Sequence, residues 1–548
     1  MLAYGWREKI SGCPKRAAPF AFKEEITRMG DMKKKKSPHA VFKPYTMGQL
    51  QLPTDLEELI PENHLVRVVH EVIEKMDLGP LLRRYKGGGT SSYHPKMMLK
   101  VLVYAYTQRI YSSRQIAKAL RENIHFMWIS GNSRPDFRTI NRFRGEVMRG
   151  IMEQVFASVL ELLIEEGYVK LEHYFLDGTK IEANANRYSW VWAKSTRGYK
   201  RKLQENVKKL LDEIEQVNEE ENEEYGDRDL EELGEDGPID AEKLEKKIQE
   251  LNELLKEDPE DKKLAKAVKK LKEDYLPRQK KYEEQEQLFQ GRNSYSKTDV
   301  DATFMRMKED HMKNGQLKPG YNVQIGTENQ FVVGFSVHQR PGDSGCLVPH
   351  LEGLKAQLGR LPEKVIADAG YGSEENYVYL DEEGAEAYVK YNTFHRDQKK
   401  RKKDRFRAAS FPYDETSDEF FCPADKRLIY QCTEPYQTEN GFPTELRVYE
   451  CEDCSRCELK TQCTRAVGNR RIRVSFRWRE LQQKATDNLN SEEGMRLRSR
   501  RPVEAESVFA RLKQNWGFRR FLLRGKEKVE VEWGLLCIAH DLAKVAAA

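Results

Sequence analysis

Asp177 in YFLDGTK and Asp368 in VIADAGYG share a setting: a short apolar run that reads as a buried strand, an acid at its end, and a glycine turn behind it. Carboxylates at the ends of neighbouring strands can converge on one edge of a sheet. Bare and side by side they would repel, and a hard divalent cation with oxygen ligands relieves that repulsion. In phosphoryl transfer, two such ions about 4 Å apart activate the attacking oxygen and neutralise the leaving one, which asks for a third acid. Glu504 and Glu506 in RRPVEAESVFARLKQNWGFRRF are the candidates, each seven residues before a cation, Arg511 and Lys513 respectively. On a regular helix of about 100° per residue they flank the stripe Val508, Phe509, Leu512 and Trp516 on opposite sides, so periodicity does not choose between them. The competing account of a single Asp-Gly is that the carboxylate starts a turn or caps the next helix.

A second constellation is made of sulfur. Six of the nine cysteines fall at Cys422, Cys432, Cys451, Cys454, Cys457 and Cys463, and in a cytoplasmic chain such clustering argues for metal rather than disulfides. Cys422, Cys454, Cys457 and Cys463 are expected to hold one structural Zn2+, with Cys432 and Cys451 as substitutes, because four thiolates leave no open position for catalysis. Reduced thiols without metal are the alternative. Cys13, Cys346 and Cys537 stand alone and read as packing residues.

These groups need elements to position them. Residues 1–45 carry KKKK at Lys33 to Lys36 without apolar periodicity and read as a basic arm. Residues 46–168 read as helical, including SSRQIAKAL from Ser112 and, after a break, an Arg-rich element with Arg138 and Arg142. Two short helices with a turn suggest a helix-turn-helix that contacts DNA through Arg114, Arg138 and Arg142, against the plainer reading of a bundle with a solvated Arg face. Strands carry Asp177 and Asp368. Between them, residues 198–290 show apolar residues every three or four positions, such as Leu203, Val207, Leu210 and Ile214, then Leu244, Ile248 and Leu251, then Leu264, Val268 and Leu271, and read as a coiled helical hairpin. A basic and Cys-rich insertion spans 392–489, and helix signals return to the C-terminus.

Charge is distributed unevenly. Residues 1–150 hold 27 Lys/Arg against 14 Asp/Glu and residues 496–528 hold 11 against 3, whereas residues 198–290 hold 19 against 29. Basic ends around an acidic middle fit a nucleic-acid protein with an insertion that avoids the phosphate backbone. No apolar run reaches the roughly 20 residues of a membrane helix, and charges replace the apolar region of a signal peptide, so a cytoplasmic protein with no membrane partner is expected.

The blocks LDGTKIEANAN, KPGYNVQ, IADAGYGS and E-x-x-F-x-x-x-K followed by N-x-G-F-R-R-F resemble the successive blocks of bacterial insertion-sequence DDE transposases. Residues 56–144 resemble their InsH-type helical N-terminal domain. The resemblance implies an α/β fold with an RNase H-like core from residues 169–197, 291–391 and 490–548, the first Asp on the first strand, the second after the fourth strand and the Glu on a later helix. It selects Asp177, Asp368 and Glu506 as catalytic ligands of two Mg2+ or Mn2+ ions, with Lys513 on a DNA phosphate and Arg519 and Arg520 beside it. The Tyr and Arg that precede this Glu in part of the superfamily are out of register, since Ser499 and Pro502 occupy those places. The implied activity is cleavage and strand transfer at element ends by a homodimer that is nucleoid-associated when bound to DNA. A catalytically inactive, transposase-derived DNA-binding protein is the rival reading.

Overall fold

The computed structural model describes residues 42, 55–85, 91–225, 239–257, 259, 261–307, 317–398, 405–438 and 440–548. The basic arm (apart from Phe42) and Cys13 lie outside them.

Among the described residues seven α-helices come first: α1 (Leu65–Lys75), α2 (Gly79–Leu82), α3 (Pro95–Thr107), α4 (Ser113–Glu122), α5 (Ile124–Ile129), α6 (Phe137–Arg142) and α7 (Met152–Glu165). Their starts follow capping rules: His64, His94, Asn123 and Asp136 each accept a backbone N–H of the first turn with a side-chain atom.

Strand β1 (His173–Glu182) opens the mixed sheet and β2 (Trp190–Trp192) follows. The first insertion comprises α8 (Ala193–Tyr225), α9 (Ala241–Glu257), α10 (Lys262–Lys270) and α11 (Leu276–Phe289), with a π-helical turn, Leu271–Tyr275, joining the last two. It is not a two-legged hairpin. The Ile239 carbonyl accepts from both Gln204 (3.1 Å) and Gln279 (2.9 Å), so the chain just before α9 lies beside α8; Thr196 and Lys200 of α8 bond Gln285 and Glu286, and Ala241 and Glu245 of α9 bond Glu283 and Lys280, so α8 and α9 run the same way against α11. Leu203, Val207, Leu211, Ile214, Leu251 and Leu271 help build its own core, and β2 pairs with β3 (Ser294–Ser296) to close its base.

Then follow β4 (Thr303–Arg306), β5 (Leu317–Glu328), β6 (Phe331–His338), α12 (Leu347–Leu358), β7 (Lys364–Ala367), α13 (Glu374–Glu382), β8 (Glu386–Val389) and α14 (Phe394–Gln398). The main sheet runs β4-β5-β1-β7-β8, with β6 also on β5. β1 is antiparallel to β5 and parallel to β7, which is parallel to β8. The second insertion is a five-stranded antiparallel sheet of β9 (Tyr413–Asp414), β10 (Glu419–Phe421), β11 (Arg427–Gln437), β12 (Pro443–Cys451) and, after α15 (Lys460–Cys463), β13 (Arg471–Val474). The chain ends in α16 (Phe476–Asn490), α17 (Glu492–Arg501), α18 (Ser507–Ala510) and α19 (Lys526–Val545).

Helix α19 is buried on all sides from Val531 to Leu542, as expected of a helix whose apolar residues are not confined to one face. The N-terminal helices and the sheet bury their side chains in one continuous cluster around it. At Gly534 a Cβ would lie 2.6 Å from Met152 and 2.9 Å from Phe335, so only glycine lets α7 and β6 approach this closely.

Candidate active site and thiol cluster

β1 does not stop at Asp177 as its D-G suggests; it continues unbroken through Gly178 to Glu182. The glycine serves close approach rather than a turn, because a Cβ on Gly178 would lie 2.3 Å from Nε2 of Gln324. Register then brings the two aspartates together. Phe175 on β1 is level with Ile366 on the parallel β7, so Asp177 and Asp368, each two residues on, stand level on adjacent chains and on the face shared by Phe175 and Ile366. That face is covered by the segment around α17, which packs Leu497 and Ala505 on Phe175 and Ile366.

The covering segment supplies Arg501. Its Nη2 lies 2.9 Å from Oδ1 of Asp177 and 3.5 Å from Oδ2 of Asp368, and its Nη1 lies 2.9 Å from Oε1 of Glu506. Asp177 is almost fully buried, while Asp368 and Glu506 open to solvent. The turn-capping account of Asp368 holds for one oxygen only: Oδ1 accepts from Gly370 N at 2.8 Å, and Oδ2 faces the guanidinium. Thr179, the next residue on this face of β1, accepts from Nζ of Lys513 at 3.0 Å. Asp177, Thr179, Asp368, Arg501, Glu506 and Lys513 line a cavity of about 420 Å³. Beneath them Gln324 donates to Asn322 and Asp343 and accepts from Tyr371. Burial, reinforced by Asp343, Asp177 and Asp368, holds the Tyr371 hydroxyl well above its ordinary pKa and keeps it a donor.

Glu504 is not a surface residue on the opposite flank. It is buried, and its carboxylate accepts from Gln330 N and from Arg500, both at 2.7 Å. The regular wheel fails because two π-helical turns, Pro502–Glu506 and Arg511–Asn515, bracket α18. Pro502 has no N–H, and its ring crowds the preceding turn of an α-helix; a wider turn relieves that. The extra residue also explains the register: Arg501, five residues before Glu506, reaches the acids from a place that regular spacing assigns to Pro502.

Residues 421–546 match the family described as Transposase DDE domain, and residues 54–146 match Transposase domain (DUF772). These matches indicate an insertion-sequence DDE transposase. No curated protein matches the chain. Glu506 lies inside the first matched segment, and Asp177 and Asp368 lie outside both.

Arg114 on α4 and Arg138 on α6 lie against the Phe137 ring at 5.1 and 5.8 Å, and Arg142 is exposed at the end of α6. Arg144 belongs to the same Arg-rich run but is buried, donating to the Tyr106 hydroxyl (3.0 Å) and the Tyr111 carbonyl (2.7 Å) beside Glu532 (3.7 Å). Arg519 and Arg520 are exposed and partly engaged: Arg519 donates to the Lys513 carbonyl and to Gln514, Arg520 to the carbonyls of Ala183 and Ala185. Among the described residues no helix is long and apolar enough to cross a membrane.

Five cysteines, Cys422, Cys451, Cys454, Cys457 and Cys463, line one cavity of about 20 Å³, the size of a single water or ion. Cys432 is exposed on β11 and does not line it, while Cys346 and Cys537 are buried elsewhere as packing residues. The sulfurs differ in their bonds. Those of Cys422 and Cys454 accept backbone N–H groups, from Ala424 and Arg470 at 3.4 Å. Cys451 instead donates to the Asp453 carbonyl at 3.9 Å, and burial pushes its thiol up to about 12. Among the described residues no group of three or more His, Cys, Asp or Glu is placed to hold a metal ion as it stands; the active-site carboxylates are directed at Arg501 instead.

Proposed function

We propose that this transposase cuts and joins DNA at the ends of its element with Asp177, Asp368 and Glu506 as the ligands of divalent cations, on an RNase H-like core. One observation carries the reading: three carboxylates from β1, the end of β7 and the segment after α17 meet on a single guanidinium. Three hard oxygen donors gathered around a positive charge are a donor set suited to Mg2+ or Mn2+. Two ions bound there would supply activation of the attacking oxygen and neutralisation of the leaving one.

The chain's own side chains account for the rest. Thr179 fixes the Lys513 ammonium beside the acids, where it meets a phosphate oxygen of the strand being cut. Arg519 and Arg520 extend the positive charge outward from Lys513. Arg114, Arg138 and Arg142 offer a separate contact for the end sequence, and a homodimer would bring two ends together. Cys422, Cys454, Cys457 and Cys463 are the proposed zinc ligands, with Cys451 left as a thiol. The test is cleavage of duplex DNA bearing the element's terminal inverted repeats. The wild-type protein should nick it only with Mg2+ or Mn2+, and Asp177→Asn and Asp368→Asn should bind it equally but leave it intact. Full cleavage by either variant overturns the assignment.

A further inference from the structure

We infer that Arg501 is an exchangeable counter-ion of the acid triad: it holds the three carboxylates together before divalent cations load, and it must leave for them to do so. This rests on the proposal that the triad holds metal. The guanidinium and a cation would compete for the same oxygens. Nη2 sits between Oδ1 of Asp177 and Oδ2 of Asp368, at 2.9 and 3.5 Å, whereas Mg2+ ligates oxygen at about 2.0–2.1 Å and would need the same oxygens. The fork's other arm holds Glu506 at 2.9 Å, so the same group that excludes the cation also gathers its third ligand.

The helix is built to allow this grip. Residues five apart on a regular α-helix point about 140° away from one another, yet Arg501 and Glu506 meet because the π-helical turn Pro502–Glu506 lies between them. Without Arg501 the partly buried carboxylates would face one another unneutralised. Once displaced, the guanidinium keeps a planar fork that matches two oxygens of a phosphodiester, which is the anion the substrate brings. Loading therefore trades one partner set for another: carboxylates pass from guanidinium to cation, and guanidinium from carboxylate to phosphate.

The experiment is a titration of Mn2+ into metal-free, full-length protein without DNA, following free Mn2+ by electron paramagnetic resonance. Arg501→Gln should bind Mn2+ between about tenfold and a hundredfold more tightly than wild type, the range set by one charged hydrogen-bonded pair. Arg501→Lys, which keeps the charge but cannot bridge three acids, should fall between. Adding Asp177→Asn to Arg501→Gln should abolish the gain. Without metal, Arg501→Gln should melt below wild type, and Mn2+ should raise its melting temperature more. Equal or weaker Mn2+ binding by both Arg501 variants, with wild-type binding lost in Asp177→Asn, overturns the inference while leaving the metal site standing. Absence of Mn2+ binding from wild type and both Arg501 variants overturns the metal site and this inference together.

Discussion

Glu504 and Glu506 are two positions apart and stand in opposite surroundings. Glu506 is about half exposed and faces Arg501 across the acid cavity; Glu504 is buried and satisfies the Gln330 amide. Glu506→Gln is therefore expected to abolish Mg2+-dependent cleavage with little change in stability, as surface substitutions usually behave. Glu504→Ala should do the reverse, costing about 1–3 kcal/mol for the amide left unpaired while the folded fraction still cuts. Parallel cleavage assays and urea denaturation check both, and normal cutting by Glu506→Gln would move the third ligand elsewhere.

At the scale of elements, the small sheet β9–β13 carries most of its burden on few apolar residues, with Phe420, Leu428, Tyr449 and Ile472 as its buried centre beside the thiol cavity. A domain core this small is usually stapled, and structural zinc contributes folding free energy outright. Elemental analysis should find about one zinc per chain by four-ligand logic. Cys454→Ser should lose it and loosen this sheet to proteolysis, whereas Cys432→Ser should keep it, since Cys432 lies outside the cavity. Retention of zinc by Cys454→Ser would point to a different ligand set, and its absence from wild type to reduced thiols.

The whole molecule is organised on α19, and the Arg144–Glu532 pair ties the N-terminal helices to it. Both side chains are almost fully buried, and Glu532 also accepts the amides of Leu522 and Leu523 at 2.8 Å. Arg144→Met should cost about 3–5 kcal/mol because it leaves a buried carboxylate without its counter-charge, a loss that equilibrium denaturation would register; a change below 1 kcal/mol would show that the pair does not join the two halves. A second long-range contact is sensitive to acid. His350 bonds the Tyr174 hydroxyl (2.6 Å) and Ser336 (2.7 Å), which also bonds His338 (2.7 Å). Burial pushes His350 down to about 3 and His338 to about 4, the latter helped by Lys526 and Arg340. Folded pKa values below the unfolded one mean that the unfolded chain takes up protons first, so stability falls as pH drops below about 6.5, by up to roughly 1.4 kcal/mol per pH unit per histidine. Between pH 7 and 5 the melting temperature of His350→Gln should therefore fall less than that of wild type; parallel falls would show that His350 is not what the acid acts on.

That Asp177 and Asp368 each follow a buried apolar run is legible locally, because a strand running into an acid is a short-range pattern, and so is the stripe Val508, Phe509, Leu512 and Trp516, all of them buried. The clustering of cysteines is legible there too: of the six grouped in sequence, all but Cys432 line one cavity. The choice of Glu506 drew on spacing shared with relatives, because Glu504 and Glu506 look alike on a regular wheel. The remaining features depend on departures from regularity or on partners far apart in sequence. Gly178 is a turn in the local pattern but a point of close approach once Gln324 packs on it. In the first insertion α8 and α9 run the same way, among the described residues, because Ile239 already lies beside Gln204 and Gln279 before α9 begins. Arg501 was invisible because no regular period places it beside Glu506, and its other partners, Asp177 and Asp368, lie more than a hundred residues away on a sheet. Local periodicity encodes which face a residue takes on its own element; which element that face meets is fixed only when the strands find their register.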